Sequence, residues 1–205
     1  MTNTAASASR QALHGSDPTA TYDRILAVAM DLFIARGYEG TTMSQVASGA
    51  GITTPALYWY FKSKRDLYFT VVKEGHVLFV DVLQARSIGG AVEDRFRRCI
   101  RAFVKMQLRD PKVTYGYDQL FSALPGSKRA EIEEIQETTQ RLLTEILVQG
   151  REQGAFQFSD LDVTVMALMT MCEYVFTWYR PDGRLTVAEV AELYVGLARR
   201  LVGAD

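Results

Sequence analysis

Histidine and cysteine are almost absent from this sequence: each occurs twice in 205 residues. His14 and His76 stand far apart, and neither Cys99 nor Cys172 belongs to a CxxC spacing. No Ser/His/Asp or Cys/His grouping, metal-ligand cluster or glycine-rich phosphate loop can be assembled, so neither enzymatic activity nor a cofactor or metal is expected. Both cysteines lie in apolar helical patterns, which fits buried free thiols rather than a disulfide. The chain also lacks an apolar run of about 18 residues, which excludes a helical membrane span. Residues 1–16 are rich in Ala, Ser and Thr with no apolar core, and read as a flexible tail rather than a signal peptide; a cytoplasmic protein is expected. No stretch sustains a period of two, so no sheet is expected. Charge of one sign is missing too, the net value being -1. That argues against a strongly basic nucleic-acid binder. The distribution is uneven, however: the first 73 residues hold seven cations against five anions, leaving the acidic excess to the remainder.

What is present is helix punctuation. Asp17-Pro18 can cap and begin a helix that runs to Gly37, with Ile25, Val28, Ala29, Leu32 and Phe33 at spacings of three and four. Thr42 followed by Gln45 has the spacing of a capping box, and Val46, Ala47 and Ala50 share one face of the short helix behind it. Gly49 and Gly51 mark its end. Pro55 suits the first turn of a third helix and disfavours helical angles at Thr54, which points to Thr54 as the cap, with Thr53 the other candidate. Ala56, Leu57, Tyr60 and Phe61 form its apolar seam, and Tyr58 and Trp59 fall off that seam. Ser63 and Asp66 repeat the box spacing. Lys64 and Arg65 then sit in a first turn where the helix dipole disfavours cations, as an anionic partner such as phosphate would explain. Two short helices joined by a glycine turn, the second ending in aromatics, have the layout of a helix-turn-helix.

The series Arg24-Ile25-Leu26, Ala29, Leu32-Phe33, Gly37-Tyr38, Thr41-Thr42-Met43, Ile52, Ala56-Leu57-Tyr58-Trp59-Tyr60-Phe61-Lys62-Ser63-Lys64 and Leu67 closely resembles the DNA-binding domain of the tetracycline-repressor (TetR) family. Order, spacing and residue type agree over about the first third of the chain. Two positions depart from the family pattern: Trp59 replaces a more usual Tyr or His, and Thr54-Pro55 replaces a polar residue followed by glycine. The resemblance implies an all-α protein in which a tail (1–16) precedes a helix-turn-helix domain (17–63) and a helical ligand-binding and dimerisation domain (64–205). It implies double-stranded operator DNA as partner. Thr42 and Lys64 would hold phosphates, Tyr58 and Tyr60 would add backbone contacts, and Thr53, Thr54, Pro55 and Trp59 would face base edges.

Beyond Lys64 the pattern stays helical. A long helix ends at Ser87-Ile88-Gly89-Gly90, another carries Val92, Phe96, Cys99, Ile100, Phe103 and Val104, and a short segment spans Thr114 to Leu124. Ile132 to Leu147 mark a further helix, which Gly150 to Gly154 slacken. The last two helices each have a broad apolar face. Leu161, Val165, Leu168 and Phe176 on one, with Val190, Leu193, Tyr194 and Leu197 on the other, are expected to pair with their copies across a two-fold axis. Phe103, Met106, Tyr117, Phe121, Met166, Met169, Tyr174 and Trp178 are a supply of flexible or aromatic groups suited to a mostly apolar pocket, as the resemblance also implies. The run Trp178 to Leu185 resembles a turn in family members that sense fatty acids or CoA thioesters. Arg97, Arg98 and Arg101 make either a solvated cationic face or a contact for an acidic head group. The expected function is therefore a homodimeric repressor released from a pseudo-palindromic operator by a lipophilic effector. The alternative is a helical small-molecule binder without operator activity.

Overall fold

The computed structural model describes residues 18–109, 114, 119–122 and 124–204. Its helices are α1 (Pro18–Arg36), α2 (Met43–Gly49), α3 (Thr54–Tyr60), α4 (Lys64–Ser87), α5 (Val92–Leu108), α6 (Gly126–Glu152), α7 (Leu161–Glu173) and α8 (Val187–Leu201), with a 3-10 turn at Tyr174–Thr177. Residues 119–122 are also helical, and no strand occurs among the described residues. The fold is all-α. Its contacts divide into two compact units between Val71 and Val72, within α4. The tail expected over 1–16 and the Asp17 cap lie outside the described residues.

The first unit is organised by the α1 stripe. Ile25, Ala29 and Phe33 recur every fourth residue and are essentially fully buried. They share the interior with Val46 and Ala47 of α2, Leu57 of α3, and Leu67 and Tyr68 of α4. Phe33 meets Tyr68 edge-on at 5.0 Å between ring centroids, and Tyr22 stacks on Phe61 at 5.5 Å. Polar pins fix the connections. The Arg24 Nε donates to the Ala50 carbonyl at the end of α2 (2.8 Å), and the buried Thr41 hydroxyl lies 3.1 and 3.0 Å from the Leu32 and Gly37 carbonyls. Each satisfies a carbonyl near a helix end that burial would otherwise leave bare.

In the second unit α5 supplies the central face. Phe96, Ile100, Phe103 and Val104 are buried at helical spacing, and α8 lays Val190, Ala191, Tyr194, Val195 and Ala198 into the same cluster. From α7 come Val165, Leu168 and Cys172, and from α6 Leu143, Ile146 and Leu147. Burying each of the larger side chains contributes roughly 1.5–3 kcal/mol. Gly150 does not slacken α6, which continues to Glu152. A Cβ there would stand 1.9 Å from the Phe156 ring, so glycine is required by close approach, not by helix ending. The turn itself is made at Gly154, where φ is +71°.

Candidate DNA-reading helix and the outward apolar face of α7 and α8

The Thr42 hydroxyl accepts from the Gln45 N–H at 3.2 Å while the Gln45 side chain accepts from the Thr42 N–H at 3.0 Å, completing the expected capping box of α2. After α2, Gly51 turns the chain at φ +67°. The cap of α3 is Thr53, not Thr54: its hydroxyl accepts from the Ala56 N–H at 3.3 Å, and Thr54 is already helical. The cap bond thereby outweighs the proline's steric preference at Thr54, and Pro55 falls where no N–H is required.

Seven residues of α3 sort sharply by burial. Leu57 is fully buried, and Phe61 at its C-cap nearly so. Trp59 is 89% exposed, Tyr58 50% and Tyr60 37%. Thr53 and Pro55 are exposed, Thr54 is half-buried, and Thr42 is exposed at the start of α2. An indole left in water is unfavourable, and no partner among the described residues covers it. Lys64 is placed differently from the dipole argument. Its ammonium donates to the Tyr38 carbonyl (2.9 Å) and the Thr41 carbonyl (3.1 Å) and lies 4.2 Å from the Tyr38 ring centroid. The cation is tolerated at that helix start because it reaches back to the α1–α2 connection. The Ser63 hydroxyl accepts from the Asp66 N–H, and the Asp66 carboxylate accepts from Lys62 N–H, one residue earlier than a reciprocal box.

On α7 and α8 the expected assignments exchange places. Val165, Leu168, Phe176, Val190 and Tyr194, assigned to a dimer interface, are buried in the protein's own core, and Leu161 packs partly against it. Met166, Tyr174 and Trp178, assigned to a pocket, are half-exposed on the outside. Of the expected interface only Leu193 and Leu197 are well exposed, and they are joined by Leu201 of the same apolar α8 face and by Val163, which sequence reasoning did not single out. The cause is geometric. α7 is apolar nearly all round, so periodicity does not tell its inner from its outer face. At Tyr174 the chain tightens into a 3-10 turn, which breaks the 3.6 register between α7 and the residues that follow it. Trp178 is held in place by its indole N–H, which donates to the Tyr194 hydroxyl at 3.1 Å, with the two rings stacked.

Phe103 is buried edge-on against Phe79, Met169 packs on the core, and Met106 and Phe121 are half-buried. Tyr117 lies outside the described residues. A cleft of about 470 Å³ between α5 and α8 is lined by Asp94, Arg97, Arg98, Arg101, Glu192, Val195, Gly196 and Arg199. Its α5 arginines are already engaged: Arg97 with Asp94, Arg101 with the Glu192 carboxylate, and Arg98 with the Ile88 and Gly89 carbonyls. Burial pushes the Cys99 thiol up to about 11 and the Cys172 thiol to about 12, so neither offers a thiolate near neutrality. No group of His, Cys, Asp and Glu able to hold a metal occurs among the described residues. Nor is any described helix long and apolar enough to cross a membrane.

The family described as "Bacterial regulatory proteins, tetR family" matches residues 25–71, and "Tetracyclin repressor-like, C-terminal domain" matches residues 89–202. The HTH-type transcriptional repressor KstR2 of Mycobacterium tuberculosis is 26% identical over 180 residues, covering 84% of this chain and 88% of that protein. A regulatory protein in the tetR family from Rhodococcus RHA1 superposes with a TM-score of 0.79 at 25% identity, over 93% of this chain and all (100%) of that one. AibR, solved in complex with isovaleryl coenzyme A and operator DNA, superposes with a TM-score of 0.75 at 28% identity, over 90% of this chain and 100% of its own.

Proposed function

The chain belongs to the TetR family of bacterial regulatory proteins, and from that membership we propose a ligand-responsive transcriptional repressor that binds a pseudo-palindromic operator as a homodimer. The observation that carries the proposal is Trp59, 89% exposed on a helix whose opposite side is buried. Trp59, Thr53, Thr54 and Pro55 face base edges, with the indole suited to apolar contact such as a thymine methyl. Thr42, Tyr58 and Tyr60 bond to the phosphate backbone. Lys64 braces the domain through two carbonyl bonds and lies 4.0 Å from the exposed Glu39 carboxylate, so a phosphate contact there competes with Glu39; the exposed Lys62 and Arg65 stand beside it. A single such reader covers few base pairs, so two-fold pairing is needed for a specific site. The outward apolar side chains of α7, α8 and the connection between them support that pairing: Val163, Met166, Tyr174, Trp178, Leu193, Leu197 and Leu201 are all at least two-fifths exposed in the single chain.

The effector is a lipophilic small molecule, of fatty-acid or acyl-CoA type, held in the second unit near Phe103, Met106, Phe121 and Met169. Its acyl-CoA form is supported by the ligand seen with AibR. α4 begins in the first unit and ends in the second, so a ligand that prefers one placement of α4 shifts the population competent for DNA. A ligand with equal affinity for both states would shift nothing. The test is a gel-shift series with the purified protein and pseudo-palindromes whose half-sites lie roughly one or one-and-a-half helical turns apart. Preference over random duplex, weakening with salt, is expected. Equal binding to random duplex would leave the alternative of a small-molecule binder without operator activity.

A further inference from the structure

Three buried side-chain nitrogens of the second unit have no hydrogen-bond partner, Arg95 Nε, His76 Nε2 and Arg129 Nε, and the last two border one ring. The His76 Nε2 on α4 is unpartnered, and its imidazole meets the Phe121 ring edge-on at 5.6 Å between centroids. The Arg129 Nε near the start of α6 is likewise unpartnered, and its guanidinium lies 5.9 Å from the same ring centroid. Buried polar groups are nearly always satisfied, so two exceptions around one side chain point to a missing ligand atom.

The charges are also unbalanced there. Arg129 spends its Nη2 on the Ser122 and Leu124 carbonyls and makes no ion pair among the described residues. Nearby Glu131 is already bound by Lys73 at 2.7 Å and approached by Lys128 at 3.5 Å. One turn along α4 from His76, Phe79 packs on Phe103, so the polar pair adjoins the apolar core of the second unit. Burial lowers the His76 pKa from the ordinary 6.5 to about 4, which leaves a neutral imidazole able to donate from Nε2.

We propose that His76 and Arg129 together receive an anionic oxygen at one end of the effector, with its apolar chain running along Phe79 and Phe103. The inference rests on the effector reading above. A carboxylate and a coenzyme A phosphate share this chemistry, and both accept charge-assisted hydrogen bonds from a guanidinium.

The test uses the purified full-length protein and calorimetric titration with straight-chain alkanoates from butyrate to palmitate, the matching primary alcohols and the matching CoA thioesters. Either the acids or the thioesters should bind at least about tenfold more tightly than the alcohols. The series that does so identifies the source of the anion. Arg129→Gln and His76→Leu should each remove most of that advantage while leaving alcohol binding and the circular dichroism melt unchanged. Should Arg129→Gln disturb the carbonyls it holds, Arg129→Lys and His76→Leu carry the same comparison. No binding by any series, alcohols as tight as the anions, or an advantage kept in both variants would overturn the proposal. Operator release is scored separately on the same samples. Anion-dependent binding without release would sink the repressor reading alone. Release by a compound whose binding ignores both variants would sink this inference alone.

Discussion

Apart from Leu78 and Ile88, the described residues leave large apolar side chains in water in two places, and they do so in different ways. On α3 the exposed groups are aromatic, interleaved with hydroxyls at Thr53 and Thr54, and backed by the single buried Leu57. On α7 and α8 the exposed groups are mostly aliphatic, Val163, Met166, Leu193, Leu197 and Leu201, with Tyr174 and Trp178 beside them. A mixed aromatic and hydroxyl surface suits a polar, charged partner whose bases carry methyl groups and flat edges. An aliphatic surface suits another apolar surface, and the simplest supplier is a second copy of the chain. On the proposed function, the two exposures divide the work of operator binding: one reads, the other sets the number of readers.

The sharpest way to break that division is at the larger surface. Leu193→Glu combined with Leu197→Glu would bury unpaired carboxylates in the dimer, weakening association by at least about a thousandfold. Sedimentation should then show monomer, with specific operator binding lost although circular dichroism is unchanged. Retained dimer would move the interface elsewhere. At the smaller surface, Trp59→Ala should weaken operator binding by roughly tenfold to a hundredfold. Because the indole is almost wholly exposed, thermal stability should not fall. Loss of stability would show that the ring is packed, not presented.

A third comparison separates surface from interior through pH. His76 has a folded pKa of about 4 against 6.5 unfolded, so the unfolded state binds the proton first as acid is added. Stability from this group is complete above about pH 6.5 and falls as pH drops towards 4. Between pH 7 and 5 the loss is about 2 kcal/mol in urea unfolding, and His76→Leu should be less acid-sensitive by that amount. Equal acid sensitivity in the two proteins would refute a buried neutral imidazole. The smallest expected effect is Thr53→Ala, which removes one cap bond at the start of α3 and costs about 1 kcal/mol. Thr54→Ala should cost measurably less, and the ratio in denaturant titrations checks which threonine caps.

Much of the reading unit was legible because its signals are local. A capping box at Thr42, a glycine turn at Gly51 and a proline in the first turn of α3 each concern residues within one turn of chain. Trp59 could be placed outside because Leu57 and Phe61 define the inner side of so short a helix. Lys64 was legible only in part. Its position in a first turn is local, but the Tyr38 and Thr41 carbonyls that hold it come from more than twenty residues earlier in the chain. The outer and inner sides of α7 were not legible, for a helix apolar on both sides has no periodic signature of which side meets what. His76 and Arg129 could not be related from the sequence for another reason: they stand 53 positions apart, and it is Phe121 that brings them into relation.

By itself, then, the sequence determined the helical class, the helix-turn-helix with its caps, and the solvent position of Trp59, since hydrogen-bond punctuation and a 3.6 period act over a few residues. The tertiary structure alone decided which apolar residues of α7, the 3-10 turn and α8 form the core and which remain outside. It also decided that Lys64 is a brace and that two unpaired nitrogens flank Phe121. Those outcomes depend on packing between distant segments, where side chains compete for the same volume and the same hydrogen-bond partners.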